Sequence, residues 1–107
     1  MTANISELTE STFTDRVAHG VVLADFWAPW CGPCHMQTPI LESLAQKSEA
    51  PVSIAKVDVD ANPALAEQLG VQSIPTLVLF RNGQEVQRFV GVQSEDTLAR
   101  AIEQVQS

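Results

Sequence analysis

Only two of the 107 residues are cysteines, and both lie within one C-x-x-C motif, Cys31 to Cys34. No other cysteine pair is therefore available to form the structural disulfides of a small secreted protein. So low a cysteine content is typical of a protein kept in a reducing compartment. A chain of this length buries enough apolar surface to fold without such disulfides. We expect a single domain over residues 1–107.

Basic side chains and long apolar runs are also scarce. Six lysine and arginine residues stand against 13 acidic residues, which gives a formal charge of −7, and a surface of that sign repels phosphate backbones and anionic membranes. The apolar runs near Val21 and Leu77 are too short to span a bilayer, and the first residues carry no signal-peptide pattern. We therefore expect a cytoplasmic protein with neither nucleic acid nor membrane as a partner.

The hydrophobic periodicity predicts strands that alternate with helices. Val21–Trp27 is a short, nearly continuous apolar run, typical of a strand buried on both faces of a parallel sheet. The longest helix is predicted from Cys31 to about Ser48, with Pro39 expected to bend it. Asn82 and Gly83 predict a tight hairpin between strands at Thr76–Phe80 and Gln84–Val90.

Shorter elements complete this pattern. We predict a weak strand near Ile5, a helix capped by Thr9 or Ser11 and ended by Gly20, a strand over Val52–Val59, a helix capped by Asn62 and ended by Gly70, and a last helix capped by Ser94. The order β-α-β-α-β-α-β-β-α predicts an α/β fold. It has a mixed central sheet of about five strands flanked by about four helices.

The two cysteines are predicted to stand one turn apart at the start of the long helix. Their Cα atoms would then lie about 5 Å apart, within the range that a disulfide needs. Because the N-terminus of a helix stabilises a thiolate, we expect Cys31 to attack a substrate disulfide and Cys34 to resolve the mixed disulfide.

Asp25 is the one ionisable residue in the apolar strand. Burial there would raise the pKa of its carboxyl, which makes Asp25 a candidate proton acceptor for Cys34 near neutral pH. The alternative is a buried carboxyl with a purely structural role.

The cysteine pair also has two simpler interpretations. One is half of a zinc site, but the only histidines are His19 and His35 and there is no second C-x-x-C, so we expect no metal site. The other is a structural disulfide, which would add little stability because it closes so short a loop. Redox chemistry is the favoured interpretation.

Four segments together resemble the thioredoxin family: the run from Asp25 to Cys34 (DFWAPWCGPC), Lys56 to Asp60 (KVDVD), Ile74-Pro75-Thr76, and Gly91. The resemblance covers nearly the whole chain and implies a thioredoxin fold and the reduction of protein disulfides. It also implies disulfide-containing client proteins, a thioredoxin reductase as electron donor, no bound cofactor and a monomer.

The same resemblance implies roles for individual residues. The proline matching Pro75 is cis in that family and lies against the cysteine pair. The apolar docking surface would be Trp30, Ile74, Pro75 and Gly91. The residues that tune the redox pair would be Gly32, Pro33, Lys56 and Trp27. Lys56 as a solvated strand lysine and Trp30 as a core aromatic are the structural alternatives.

Two rival functions are retained at this point. A disulfide oxidase or isomerase would need a more reactive Cys31 and a less stable disulfide, although the Gly-Pro between the cysteines resembles that of reductants. A non-catalytic binding module would use the same apolar face with incidental thiols. His35 stands where this family commonly has lysine, and it is either a solvated side chain or a tuning group.

Overall fold

The computed structural model describes residues 5–47 and 52–106, and its elements follow the predicted order. The strands are β1 (Ile5–Glu7), β2 (Val21–Trp27), β3 (Ser53–Asp58), β4 (Thr76–Arg81) and β5 (Gln84–Val90). The helices are α1 (Phe13–Val17), α2 (Gly32–Lys47), α3 (Pro63–Gln68) and α4 (Glu95–Gln106). The predicted end of α2 near Ser48 lies outside the described residues, and Pro39 lies inside this helix.

The five strands form one mixed sheet in the order β1-β3-β2-β4-β5. β1, β3 and β2 are parallel, whereas β4 and β5 run antiparallel to their neighbours. The central strand β2 is buried from Val22 to Phe26, as its continuous apolar pattern predicts. The α/β fold with a mixed sheet is therefore confirmed.

Each face of the sheet is covered by two helices. On one face, Phe13 and Val17 of α1 and Leu65 of α3 pack against the even-numbered residues of β2. On the other face, α2 and α4 pack against Leu23 of β2 and against Leu77 and Leu79 of β4. Because side chains alternate along a strand, Asp25 and Trp27 lie on this second face, beneath α2.

The hairpin between β4 and β5 turns at Asn82 and Gly83, with φ values of 50° and 86°. Two consecutive positive φ angles are the requirement of a type I′ turn, for which the Asn-Gly pair is suited. The Asn82 side chain also accepts a hydrogen bond of 2.8 Å from the Gly20 N–H, which ties the hairpin to the start of β2.

One of the three predicted helix caps, that of α1, is wrong. Thr12, not Thr9 or Ser11, precedes α1, and it makes no side-chain capping bond. Asn62 is the N-cap residue of α3 as predicted, although its buried amide bonds to the Glu10 N–H and the Asp58 carbonyl and not to the helix. The Glu10 carboxylate accepts a hydrogen bond of 3.0 Å from the Ala64 N–H, so a residue distant in sequence satisfies the N-terminus of α3.

Ser94 caps α4 as predicted, because its hydroxyl oxygen accepts a hydrogen bond from the Thr97 N–H.

None of the described helices is long and apolar enough to cross a membrane.

Candidate active site

Cys31 and Cys34 form a disulfide at the N-terminus of α2, with a Cα–Cα distance of 5.3 Å. This agrees with the distance expected for one helical turn. The Cys34 N–H donates to the Cys31 sulfur at 3.2 Å, so a backbone donor of the first turn points at that sulfur. Negative charge on Cys31 is therefore stabilised by the helix terminus.

The loop before β4 lies against the disulfide. The Ile74–Pro75 peptide bond is cis, as the resemblance implied, and the Ile74 carbonyl oxygen is 3.8 Å from the Cys31 sulfur. The Gly91 N–H donates to the Pro75 carbonyl at 2.8 Å. Ile74, Pro75 and Gly91 are thus brought together on one side of the cysteine pair.

The two tryptophans of the motif have different environments. Trp30 is 70% exposed, which rules out the alternative of a core aromatic, and its indole N–H donates to Asp60 at 2.7 Å. Trp27 is half-buried and packs against the cluster of Ala28, Cys31 and Cys34. The Trp30 ring is therefore accessible to a partner, whereas the Trp27 ring packs against the inner side of the cysteine pair.

His35 bridges back to the loop that precedes the cysteines. Its Nε2 lies 2.6 Å from the Pro29 carbonyl oxygen, and its ring meets the Trp27 ring edge-on with centroids 6.3 Å apart. The side chain is exposed, but it is held in place by these two contacts. We assign it a structural contact with this loop.

Asp25 is fully buried in β2, and neither carboxylate oxygen has a hydrogen-bond partner among the described residues. Loss of solvation raises the pKa of this carboxyl from 3.8 to about 7. The positive charge of Lys56 opposes that rise, and the negative charge of Glu7 adds to it. A carboxyl with such a pKa exchanges protons readily at neutral pH.

A row of three charged residues crosses the sheet beneath α2. In the strand register, Lys56 of β3 stands between Asp25 of β2 and Glu7 of β1. The Lys56 Nζ donates to Thr38 of α2 at 2.8 Å and lies 4.0 Å from the Trp27 ring centroid. The alternative of a freely solvated lysine is therefore wrong, since the ammonium is held under α2.

Sequence reasoning missed Glu7 and Gln37. Glu7 lies in a three-residue strand with no strong pattern, so its relation to Lys56 became visible only with the parallel register of β1 and β3. Gln37 is buried on the same stripe of α2 as Cys34, Leu41 and Leu44. A polar residue at an inward-facing helical position was the signal that could have found it.

The described part of the chain holds no group of three or more histidine, cysteine, aspartate or glutamate residues placed to bind a metal ion. The redox-active group that the structure does contain is the Cys31–Cys34 disulfide.

A sequence model of the thioredoxin family matches residues 4–104. The chain belongs to the thioredoxin family. Thioredoxin from Chlamydia muridarum is 53% identical over 96 residues, covering 89% of this chain and 92% of the relative. Thioredoxin from Staphylococcus saprophyticus is 48% identical over 99 residues, covering 92% and 95%. Both relatives are matched over nearly their whole length.

Solved structures agree with the thioredoxin fold. A mutant thioredoxin from Halobacterium salinarum superposes with a TM-score of 0.88 at 43% sequence identity, covering 96% of this chain and 91% of that one. With its cysteine pair at the start of α2, this thioredoxin-family protein is a thiol-disulfide oxidoreductase with protein-disulfide reductase activity. The alternative of a non-catalytic binding module is not favoured.

Proposed function

We propose that Cys31 is the attacking thiolate, Cys34 the resolving thiol and Asp25 the proton acceptor of this reductase. The Cys31 thiolate attacks one sulfur of a client disulfide and forms a mixed disulfide, releasing the other client sulfur as a thiolate. Cys34 then loses its proton to Asp25 and attacks the Cys31 sulfur. The client leaves with two thiols, and the two electrons it gained come from the oxidation of Cys31 and Cys34 to a disulfide.

The hydrogen bond from the Cys34 N–H to the Cys31 sulfur supports these roles most strongly. It places a helix-terminal donor on Cys31, which favours the thiolate there. Cys34 is fully buried, whereas Cys31 keeps 4% exposure, so Cys31 is the sulfur nearer to an incoming client. The pKa of Asp25, about 7, suits a group that takes a proton and returns it.

We further propose that clients dock on the surface formed by Trp30, Ile74, Pro75 and Gly91, which we call the docking surface. Trp30 offers a large exposed ring whose orientation is fixed by Asp60. A ring held in this way loses little conformational freedom on binding, and such tryptophans dominate binding energy at interfaces. The Ile74 carbonyl lies beside the Cys31 sulfur, and Gly91 is bonded to the neighbouring Pro75.

Trp30→Ala is expected to raise KM for a protein disulfide by about tenfold, because removal of a central aromatic contact costs about 1–2 kcal/mol. The assay is reduction of insulin with dithiothreitol as electron donor, compared with reduction of a small aromatic disulfide that does not need the surface. Val86→Ala, at a 45% exposed valine on the edge strand β5, is the matched control. An unchanged KM in Trp30→Ala would contradict the docking role.

The proposed cellular setting follows from the same chemistry. A thioredoxin reductase supplies the electrons, the chain acts as a monomeric single domain in the cytoplasm, and its dithiol carries electrons to disulfide-containing client proteins. Gly32 and Pro33 between the cysteines, Trp27 below them and Lys56 near Asp25 tune the redox pair. The contacts of Lys56 with Thr38 and Trp27 support its part in this.

The reduction potential of the pair is expected at or below about −220 mV, the poise of cytosolic glutathione by biochemical extraction. It is measured by equilibration against glutathione redox buffers and read from tryptophan fluorescence, since Trp27 packs against the cysteine cluster. A potential above about −180 mV, in the range of protein disulfide isomerase, would favour the oxidase or isomerase alternative.

A further inference from the structure

The side chain of Gln37 is fully buried in α2, one turn beyond Cys34. An amide in such a place costs free energy unless its polar atoms find partners. Both atoms do so on the same residue, because Gln37 Nε2 donates to the Gln93 carbonyl at 3.1 Å and Gln37 Oε1 accepts the Gln93 N–H at 2.7 Å. The helix thus holds both backbone groups of Gln93.

Gln93 lies in the loop of residues 91–94 between β5 and α4, which we call the 91–94 loop. Its own side chain turns back on this loop and donates to the Gly91 carbonyl at 3.2 Å and to the Val90 carbonyl at 3.4 Å. Gly91 in turn donates its N–H to Pro75. A continuous set of hydrogen bonds therefore runs from α2 through the 91–94 loop to the cis-proline beside the disulfide.

We propose that Gln37 is a positioning residue that fixes the 91–94 loop, and with it Gly91, for the docking of protein disulfides. This inference rests on the proposed docking surface. The loop lies outside the strands and helices, and its two ends are tied by the Gly91 N–H to Pro75 and by Ser94, which accepts bonds from the first turn of α4. Gly91 has φ of 92°, a conformation that glycine alone adopts without strain. A loop of this kind needs outside anchors to stay preorganised, and a preorganised surface binds with a smaller entropy loss.

A buried amide that merely completes the core makes different predictions. Its replacement would change the free energy of unfolding of the protein. It would not raise KM for a protein disulfide while leaving the rate with a small disulfide unchanged. The test therefore compares two substrates and follows the loop directly.

Gln37→Met removes both bonds to Gln93 with little change in side-chain volume. We expect KM for insulin to rise about fivefold, because the 91–94 loop would lose its anchor and would have to become ordered when the client binds. The kcat for insulin and the rate with the small aromatic disulfide should each change less than twofold. Amide hydrogen exchange should accelerate at Gln93 and Gly91, with the β4 amides of Leu77 and Leu79 unaffected.

Two further variants keep the test decisive. Gln46→Met makes the same replacement at an exposed position of α2 and should leave KM and exchange unchanged. Gln93→Ala leaves the buried amide of Gln37 in place and removes only the bonds to the Gly91 and Val90 carbonyls, so it should raise KM by a smaller factor. Because the Gln93 side chain is only partly buried, this variant tests the loop even if Gln37→Met fails to fold.

The outcomes separate this inference from the docking proposal. If Trp30→Ala raises KM for insulin but Gln37→Met and Gln93→Ala do not, the docking surface stands and the role of Gln37 is overturned. If none of the three raises KM, the docking surface itself is wrong and the inference falls with it. An equal loss of rate with insulin and with the small disulfide would show that Gln37 supports the cysteine helix instead.

Discussion

Cys34→Ser is expected to stop catalytic turnover and to accumulate a covalent complex between the protein and its client. Cys31 still attacks the client disulfide, but no second thiol is left to break the mixed disulfide. With dithiothreitol as electron donor, insulin reduction should fall close to the rate of dithiothreitol alone. After a separate incubation of the pre-reduced variant with insulin and without dithiothreitol, non-reducing mass spectrometry should show one client chain attached at Cys31.

Cys31→Ser is the matched control for this experiment. The remaining Cys34 is fully buried and lacks the N–H bond that points at the Cys31 sulfur, so no adduct should form. An adduct on Cys34 in this variant, with none on Cys31 in the other, would reverse the proposed roles. Full cellular function in the Cys31→Ser, Cys34→Ser double variant would instead support the binding-module alternative.

The fold could be predicted from the sequence because each element has a strong local signal. The apolar run of β2 and the helical spacing of α2 fix their type, and the Asn82-Gly83 pair fixes the hairpin between β4 and β5. The cysteine spacing likewise predicted a Cα–Cα distance of about 5 Å, and the observed distance is 5.3 Å. These features depend on residues that are close in sequence.

The features that could not be predicted depend on residues that are far apart in sequence. Glu10 satisfies the end of α3 from 54 positions away, and Gln37 meets Gln93 across 56. Hydrophobic periodicity does not predict such long-range pairs. Each of these polar residues, taken alone, is an ordinary residue of a helix or a loop. The cis-proline was expected only from the family resemblance, because an X-Pro bond is cis in about 5% of cases.

Asp25→Asn is expected to change how stability depends on pH. The pKa of Asp25 is about 7 in the folded protein, whereas the ordinary value expected in the unfolded chain is 3.8. The folded state therefore holds the proton more tightly. The stabilisation from this proton is complete below about pH 4 and is lost as the pH rises through 7, with a total near 4 kcal/mol.

Asparagine cannot ionise, so the variant should lack this fall in the free energy of unfolding between pH 4 and pH 8. Its buried amide lacks partners, but so does the protonated carboxyl that it replaces, so the two neutral side chains carry a similar cost of burial. We therefore expect the variant and the parent to have similar free energies of unfolding at pH 4, and the variant to be more stable at pH 8 by up to about 4 kcal/mol. Denaturant unfolding of the disulfide form across this pH range measures both curves.

The rate of turnover is the second part of this prediction, because the carboxylate that destabilises the fold is the proposed acceptor of the Cys34 proton. Asp25→Asn should slow insulin reduction by about 10²-fold at pH 7, the usual effect of losing a general base. Asp15→Asn, at an exposed carboxyl of α1, should leave both the pH dependence and the rate unchanged. Parallel stability curves for Asp25→Asn and the parent would contradict the raised pKa, and an equally fast variant would leave Asp25 as a buried structural carboxyl.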